Sequence, residues 1–342
     1  MPVATTVRDV AALAGVSVKT VSRVVNGEPH TRPEMVQRVM AAIAELDWTP
    51  NPSARSLRSR RTGLIGVGVA ELRRPYLATL VQALVTEADR RGLPVAVEPH
   101  HGDPDRMRSL LDARGRLFDG LVHIGPLEPG VATDGALTDR PVVVVQGGDV
   151  SAEVDQVRED ADEAVALIAR HLAVMGRRRP VLLGADRART VGEGADVPSA
   201  SMRAALARAG LDVGDVPVVR LDGVADRRAG ADAAVRALDD HPGTDVLVCA
   251  SDEVALGALA VLSARGVDVP GRVAVIGYDN LDDGQFTTPT LTTIDPGAGR
   301  LARVALELVA DRLAGRAGAR PAVVTLPVDL VRRDSTLGQD RT

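Results

Sequence analysis

Val18, Lys19, Ser22 and Arg23 lie within six residues and combine an apolar contact, an ammonium, a hydroxyl and a guanidinium. Near the start of a short helix, such side chains can be carried to base edges in the DNA major groove. Other chemistries have weaker support. Gly66-Val67-Gly68 begins like a dinucleotide fingerprint, but Glu71 stands where the third glycine belongs. His100-His101 with Asp103 hints at a metal. Neighbours at a strand end point apart, however, so solvent-exposed loop positions are the expectation. His30 follows the short helix and is placed to approach a phosphate. Asp252-Glu253 and Asp282-Asp283 are carboxylate pairs that helix caps and solvated loops explain first. There is no Gly-x-Ser-x-Gly elbow, Walker loop or HExxH motif. The expectation is a protein that is not an enzyme and uses no cofactor.

The elements that must position the first four residues span 6–27. Val7, Val10, Ala11 and Ala14 form a helical stripe, with Thr6 as N-cap and Asp9 at the third helical position. Gly15 suits a helix end that needs positive φ, and Val16 plugs the corner. Ser17 caps a second helix that turns Val21, Val24 and Val25 inward and stops at Asn26-Gly27. A third helix over 31–47 starts at Arg32-Pro33-Glu34 and buries Val36, Val39, Met40, Ile43 and Leu46. The pattern is a helix-turn-helix, and a helical hairpin that merely packs is the plainer alternative. Charge separates the two. Residues 1–62 hold nine Lys+Arg against five acids, a net +4. The whole chain has 41 against 46, a net −5, so the remainder carries −9. A basic head on an acidic body fits binding to a polyanion through one end. Lys19 is the only lysine.

Thr49-Pro50-Asn51-Pro52 breaks the helical pattern. Residues 53–62 set Leu57 among four arginines. This is either a solvated linker or a short helix that orders on DNA, with Leu57 as a minor-groove wedge. From Leu64 onward apolar runs alternate with amphipathic helices. Strands are predicted at 64–69, 94–97, 120–124, 141–145, 180–183, 217–221, 245–248 and 273–277, with helices near 77–91, 103–116, 161–176, 199–209, 227–240 and 253–265. Short Val/Leu runs between helices indicate parallel sheets covered on both faces, here in two lobes that divide near 146–160. Ligands in such folds bind at the carboxyl ends of the strands. No run approaches the ~20 apolar residues of a membrane span. The start of the sequence lacks a secretory pattern, so a cytoplasmic location is expected. The single cysteine, Cys249, excludes an intrachain disulfide and sits in an apolar run as an inert buried residue. Trp48, Tyr76, Phe118, Tyr278 and Phe286 are the only aromatics, so few side chains can stack on a ligand.

Residues 6–17, 20–27, 42–46, 50–52, 54–57, 65–67, 251–259, 276–280 and 289–294 together resemble the lactose-repressor (LacI/GalR) family of bacterial transcription regulators. The resemblance covers nearly the whole chain. It implies an all-α helix-turn-helix head over 1–49, a hinge helix or linker over 50–62, and an α/β two-lobed body like a periplasmic binding protein. The N-terminal lobe would comprise 63–160 and 296–321, and the C-terminal lobe 161–295 and 322–342. Crossovers would fall near 157–162, 290–297 and 318–326. By position, Val18, Lys19 and Arg23 match base-reading residues, and Arg23 can fork onto a guanine. Thr6, Ser17, Thr20, Ser22 and Asn26 fit phosphate contacts and caps. Asn51, Ala54, Arg55, Leu57 and Arg58 are the hinge candidates, with Leu57 as the wedge. The implied partners are double-stranded operator DNA, a second copy of the chain in a homodimer, and a small-molecule effector such as a sugar. No membrane is involved.

For the effector, Tyr76, Asp160, Asp252, Asp279 and Phe286 are the cleft candidates. Carboxylates beside an aromatic ring suit a polyhydroxylated ligand. The loop Glu71–Leu77 departs from the family's usual Asp, Asn and Phe pair. The arginine that usually grips the ligand falls on Pro198, leaving Arg203, Arg189 or Arg187 as substitutes. The effector expected is a sugar or related metabolite, with a differently shaped ligand or an unresponsive cleft as open alternatives. The resulting expectation is a DNA-binding regulator, a repressor, with ligand-modulated operator affinity. The alternative is a ligand-binding or enzymatic α/β protein with an incidental helical head.

Overall fold

A computed structural model describes residues 5–25, 31–48, 61–127, 140–148, 153–184, 199–211 and 213–338. The chain divides into two units, Met1–Thr62 and Gly63–Thr342.

The first unit holds α1 (Val7–Ala14), α2 (Val18–Val25) and α3 (Pro33–Glu45). The Asp9 carboxylate accepts from the Thr6 backbone N–H at 2.8 Å and from the Thr6 hydroxyl at 2.7 Å, which fixes the start of α1. These bonds hold the Asp9 carboxyl below its ordinary range. Gly15, at φ +64°, ends the helix, and the Val16 N–H closes back onto the Ala11 carbonyl at 3.0 Å. Ser17 Oγ accepts from the Thr20 N–H at 3.1 Å and starts α2. Val10, Ala11, Ala14, Val21, Val39 and Ala42 are the buried centre, with Val7, Val16, Ile43, Leu46 and Trp48 packed around it. Met40 departs from expectation and is exposed. The inward stripe runs through 39, 42, 43 and 46, and Met40 lies a further ~100° round the helix from Val39.

The second unit has two α/β lobes. The chain runs β1 (Ile65–Val69), α4 (Pro75–Arg90), β2 (Val95–Pro99), α5 (Pro104–Asp112), β3 (Gly120–Ile124), β4 (Val142–Val145) and β5 (Asp155–Glu159). It then crosses to α6 (Ala161–Val174), β6 (Pro180–Leu183), α7 (Ser199–Arg208), β7 (Val218–Val219), α8 (Arg227–Asp240), β8 (Val246–Cys249), α9 (Asp252–Ala264), β9 (Ala274–Tyr278), a 3-10 turn at Asp282–Gln285, and β10 (Thr292–Asp295). It returns as α10 (Ala298–Leu313), β11 (Val323–Leu326), β12 (Asp329–Val331) and α11 (Asp334–Leu337). The first sheet has order β11-β5-β4-β3-β1-β2, all parallel. The second has order β12-β10-β9-β8-β6-β7, with only β12 antiparallel.

Both sheets are covered on both faces, which is why their central strands can be almost wholly apolar and buried. In the first lobe, Leu80 and Leu84 of α4 and Leu301 and Leu306 of α10 cover one face. Met107, Leu110 and Leu111 of α5 cover the other. In the second, α6 and α7 lie on one face and α8 and α9 on the other.

One boundary is corrected. Val323–Leu326 pairs in parallel with Gln156–Glu159, so 322–326 belongs to the N-terminal lobe and the third crossover falls at Pro327-Val328. The buried Asp155 carboxylate accepts from the Ala322 N–H at 2.8 Å and from two Arg312 nitrogens at 2.7 Å, which delivers β11 to the outer edge of β5. β5 itself was not expected from the apolar runs, because Asp-Gln-Val-Arg-Glu contains one apolar residue. Its Asp155, Gln156 and Glu159 are nevertheless buried.

Candidate DNA-reading helix and interlobe cleft

The first turn of α2 carries exposed Val18 and Lys19, while Ser22 and Arg23 are half-buried on the same short helix. The inward face is set by Val21, which is fully buried. The hydroxyls of Ser17 and Thr20 are 2.9 Å apart, so both serve the cap that orients this turn. Thr6 is likewise engaged with Asp9. Arg38 was missed by sequence reasoning. Its guanidinium donates to the Gly15 carbonyl at 3.3 Å and braces the α1–α2 corner from α3. Asn26, His30, Asn51, Ala54, Arg55, Leu57, Arg58 and Pro198 lie outside the described residues.

In the second unit, the carboxyl ends of both sheets carry the polar groups expected of a cleft. The β1–α4 loop supplies Arg74, and the first turn of α4 supplies Tyr76. Arg74 is 7% exposed, and its Nε donates to Glu253 of the other lobe at 2.9 Å. Its Nη2 donates to the Ala225 carbonyl at 2.8 Å. Burial pushes up the ionisation of the Tyr76 hydroxyl, and the nearby charges of Glu159 and Asp279 add to this. At the end of β5, the Gln146 amide donates to Glu159 at 3.0 Å, and both side chains are buried. Neither Arg74, Gln146 nor Glu159 was singled out from sequence. Each lies one to five residues beyond a strand end or at it, the one signal that could have flagged them.

Asp279 follows β9 with φ +117°, an uncommon backbone for a non-glycine residue. Its carboxyl is pushed well above the ordinary carboxylate range, first by burial and then by the Asp252 charge, with Arg74 opposing. Together, Tyr76 and Asp279 can offer a ring face and a hydrogen-bonding carboxyl to a small polar ligand.

The remaining expected residues take other places. Asp252 is fully buried, with one oxygen accepting from the Thr293 hydroxyl at 2.6 Å and the other from the Leu281 N–H at 2.7 Å. It braces the turn after Asp279 rather than facing a ligand. Burial raises its carboxyl to about 7 against the pull of those two donors. Asp160 caps α6 by accepting from the Glu163 N–H at 2.9 Å. Arg203 points to the outer surface and pairs with exposed Asp215 at 2.9 Å. Its neighbours Met202, Ala205 and Leu206 fill the core, and helical geometry turns Arg203 away from it. Phe286 is 83% exposed on a pocket of about 530 Å³ lined by Arg227, Leu256, Asp282, Asp283 and Thr287, all of the second lobe. His100 corrects the expected exposed pair: it is buried and stacks on His123 with centroids 5.3 Å apart, while His101 is exposed. Among the described residues no three His, Cys, Asp or Glu side chains could jointly hold a metal. None of the described helices is long and apolar enough to cross a membrane.

Comparison with known proteins adds the following. Residues 6–51 match the family described as bacterial regulatory proteins, lacI family. Residues 169–336 match the periplasmic binding protein-like domain. A chain from Sanguibacter keddieii DSM 10542, assigned to the LacI family of transcriptional regulators, is 37% identical. The match covers 80% of this chain and 99% of that one, with a TM-score of 0.68. The HTH-type transcriptional repressor PurR of Mannheimia succiniciproducens is 29% identical over 334 residues, 96% of this chain and 98% of the repressor. The lac repressor dimer bound to operator and the anti-inducer ONPF is 26% identical, covers 98% of this chain and 99% of its own, and superposes with a TM-score of 0.81.

Proposed function

Because the chain belongs to the lacI family of bacterial regulatory proteins, we propose that it represses transcription by binding a near-palindromic operator as a homodimer, with affinity set by a small molecule in the interlobe cleft. The α1–α2 corner carries this reading. Gly15 and the Ser17 cap hold a short helix whose first turn exposes Val18 and Lys19, on a head and hinge (residues 1–62) with net charge +4. Two such helices in a dimer would reach two half-sites of one operator. The relatives named as repressors support regulation rather than catalysis, and a protein acting on chromosomal DNA works in the cytoplasm.

In this reading the head covers 1–49 and the hinge 50–62, with 322–326 joining the N-terminal lobe. Val18, Lys19 and Arg23 face bases, and Thr6, Ser17, Thr20, Ser22 and Asn26 lie along phosphates. Asn51, Ala54, Arg55, Leu57 and Arg58 form the hinge contact. Tyr76 and Asp279 meet the effector, with Asp252 behind them.

The experiment is anisotropy on a selected palindromic duplex with the full chain. Arg23→Ala is expected to relax discrimination at one base pair by about 1–3 kcal/mol. The same assay with sugars, sugar phosphates, nucleosides and purines should find a ligand that shifts affinity at least about tenfold, ~1.4 kcal/mol of coupling. Equal affinity for operator and scrambled duplex, unaltered by Arg23→Ala, would overturn the DNA reading.

A further inference from the structure

Three helix starts converge on Arg74. Arg74 itself is the N-cap residue of α4, and Pro75 at the first helical position stiffens its backbone. Glu253 lies in the first turn of α9, and the Ala225 carbonyl lies just before Asp226, the N-cap of α8. The spacing of these two acceptors is set by close helix packing. A Cβ on Gly230 would stand 2.3 Å from the Val254 carbonyl oxygen, and one on Gly257 2.0 Å from the Arg227 carbonyl oxygen. The backbones of α8 and α9 therefore touch, and the carboxylate and carbonyl are presented as one rigid receptor. The guanidinium fork answers both at once, at 2.9 and 2.8 Å, from two nitrogens held in one rigid plane. The side chains of the ion pair are 9% and 12% exposed, so water screens it little.

We propose that Arg74 is an interlobe latch: a first-lobe guanidinium seated in a preformed receptor of the second lobe, holding the body closed with no ligand in the cleft. A cleft ligand then shifts the lobes only by its differential affinity for latched and unlatched forms. The ion pair takes the closing role that a bound effector would otherwise have. The latch concerns the body alone and holds whichever ligand the cleft takes, so its test is separate from operator binding.

The test is a pulsed electron-spin distance measurement on the full chain, without ligand. Labels go on Asp105→Cys at the start of α5 and Asp222→Cys after β7, both highly exposed. Cys249 is buried and stays unlabelled. The latched protein should give one narrow distance. Arg74→Met and, from the opposite lobe, Glu253→Ala should each lengthen and broaden it, and the double variant should match the single ones. Arg73→Met is the control, since among the described residues Arg73 pairs only with Glu71 in its own loop. If one latch variant does not fold, the other decides. An unchanged distance in a folded latch variant, or an equal shift in the control, would overturn the proposal.

Discussion

His123 shows how far burial can move the titration of a single side chain. It lies on β3 with its ring stacked on His100, Nε2 3.3 Å from the Pro126 carbonyl and no exposure. Burial, then the His100 charge, pulls it from 6.5 down to about 3. The folded ring is neutral across a range where the unfolded chain takes up a proton. Stability from this group is therefore full above pH 6.5 and is lost as pH falls toward 3, by about 1.4 kcal/mol per pH unit. Asp252 runs the other way. Its carboxyl is raised from 3.8 to about 7, so the folded state holds a proton that the unfolded state lacks, and stability falls as pH rises through that window. The two slopes oppose each other in the native chain. His123→Phe removes one of them. Relative to the native protein it should gain about 1.4 kcal/mol per pH unit on acidification from pH 6.5 to 4.5, read by urea unfolding at each pH. A difference independent of pH would show that the native ring takes up its proton over the same range as in the unfolded chain. Gly277 belongs to the same locality. A Cβ there would stand 2.0 Å from Asp252 Oδ1, so the buried carboxyl and the glycine require each other.

Among the elements, α1 and α2 were legible because their signals are local. Thr6 and Asp9, Gly15, and Ser17 and Thr20 act within three residues of one another. Gly15→Ala should cost about 1–2 kcal/mol from the left-handed backbone alone. Arg38, whose Nη2 would lie 2.4 Å from the new Cβ, must also move. The expected result is a lower melting temperature for the head and weaker operator binding, with denaturant unfolding of the body unchanged. β5 was illegible for the converse reason. Its buried acids find their partners on other segments, Asp155 an ion pair with Arg312 and a hydrogen bond from the Ala322 N–H, and Glu159 a hydrogen bond from the Gln146 amide. α10 also escaped the strand–helix alternation. Its stripe Leu301, Ala302, Ala305, Leu306 and Val309 packs beside α4, more than 200 residues away in sequence.

For the whole molecule, charge is distributed as its chemistry requires. The first 62 residues are +4 and the remainder −9, so net attraction to phosphate is confined to the head and hinge. Operator affinity should fall steeply between 50 and 200 mM salt, by about 10³–10⁵-fold if 6–10 phosphates are contacted, as read by anisotropy in a salt series. A flat series would mean that the head makes no phosphate contacts. The body obeys a different rule. Its two lobes are joined by three crossovers, and across the cleft they are tied by the Arg74–Glu253 pair. In the latch proposed above, lobe movement is thereby coupled to one buried ion pair.

By itself, the sequence determined the helix-turn-helix, the charge division, the alternation of strands and helices in two lobes, and the family. All of these rest on periodicity, capping and turn residues acting over a few positions. Only the tertiary structure decided which polar residues meet in the cleft. It turned Asp252 inward onto Leu281 and Thr293, sent Arg203 outward to Asp215, and moved 322–326 into the first sheet. It also seated Arg74 on Glu253, 179 residues away. A buried charge must find its partner wherever the fold provides one, and no local pattern in the chain records where that partner lies.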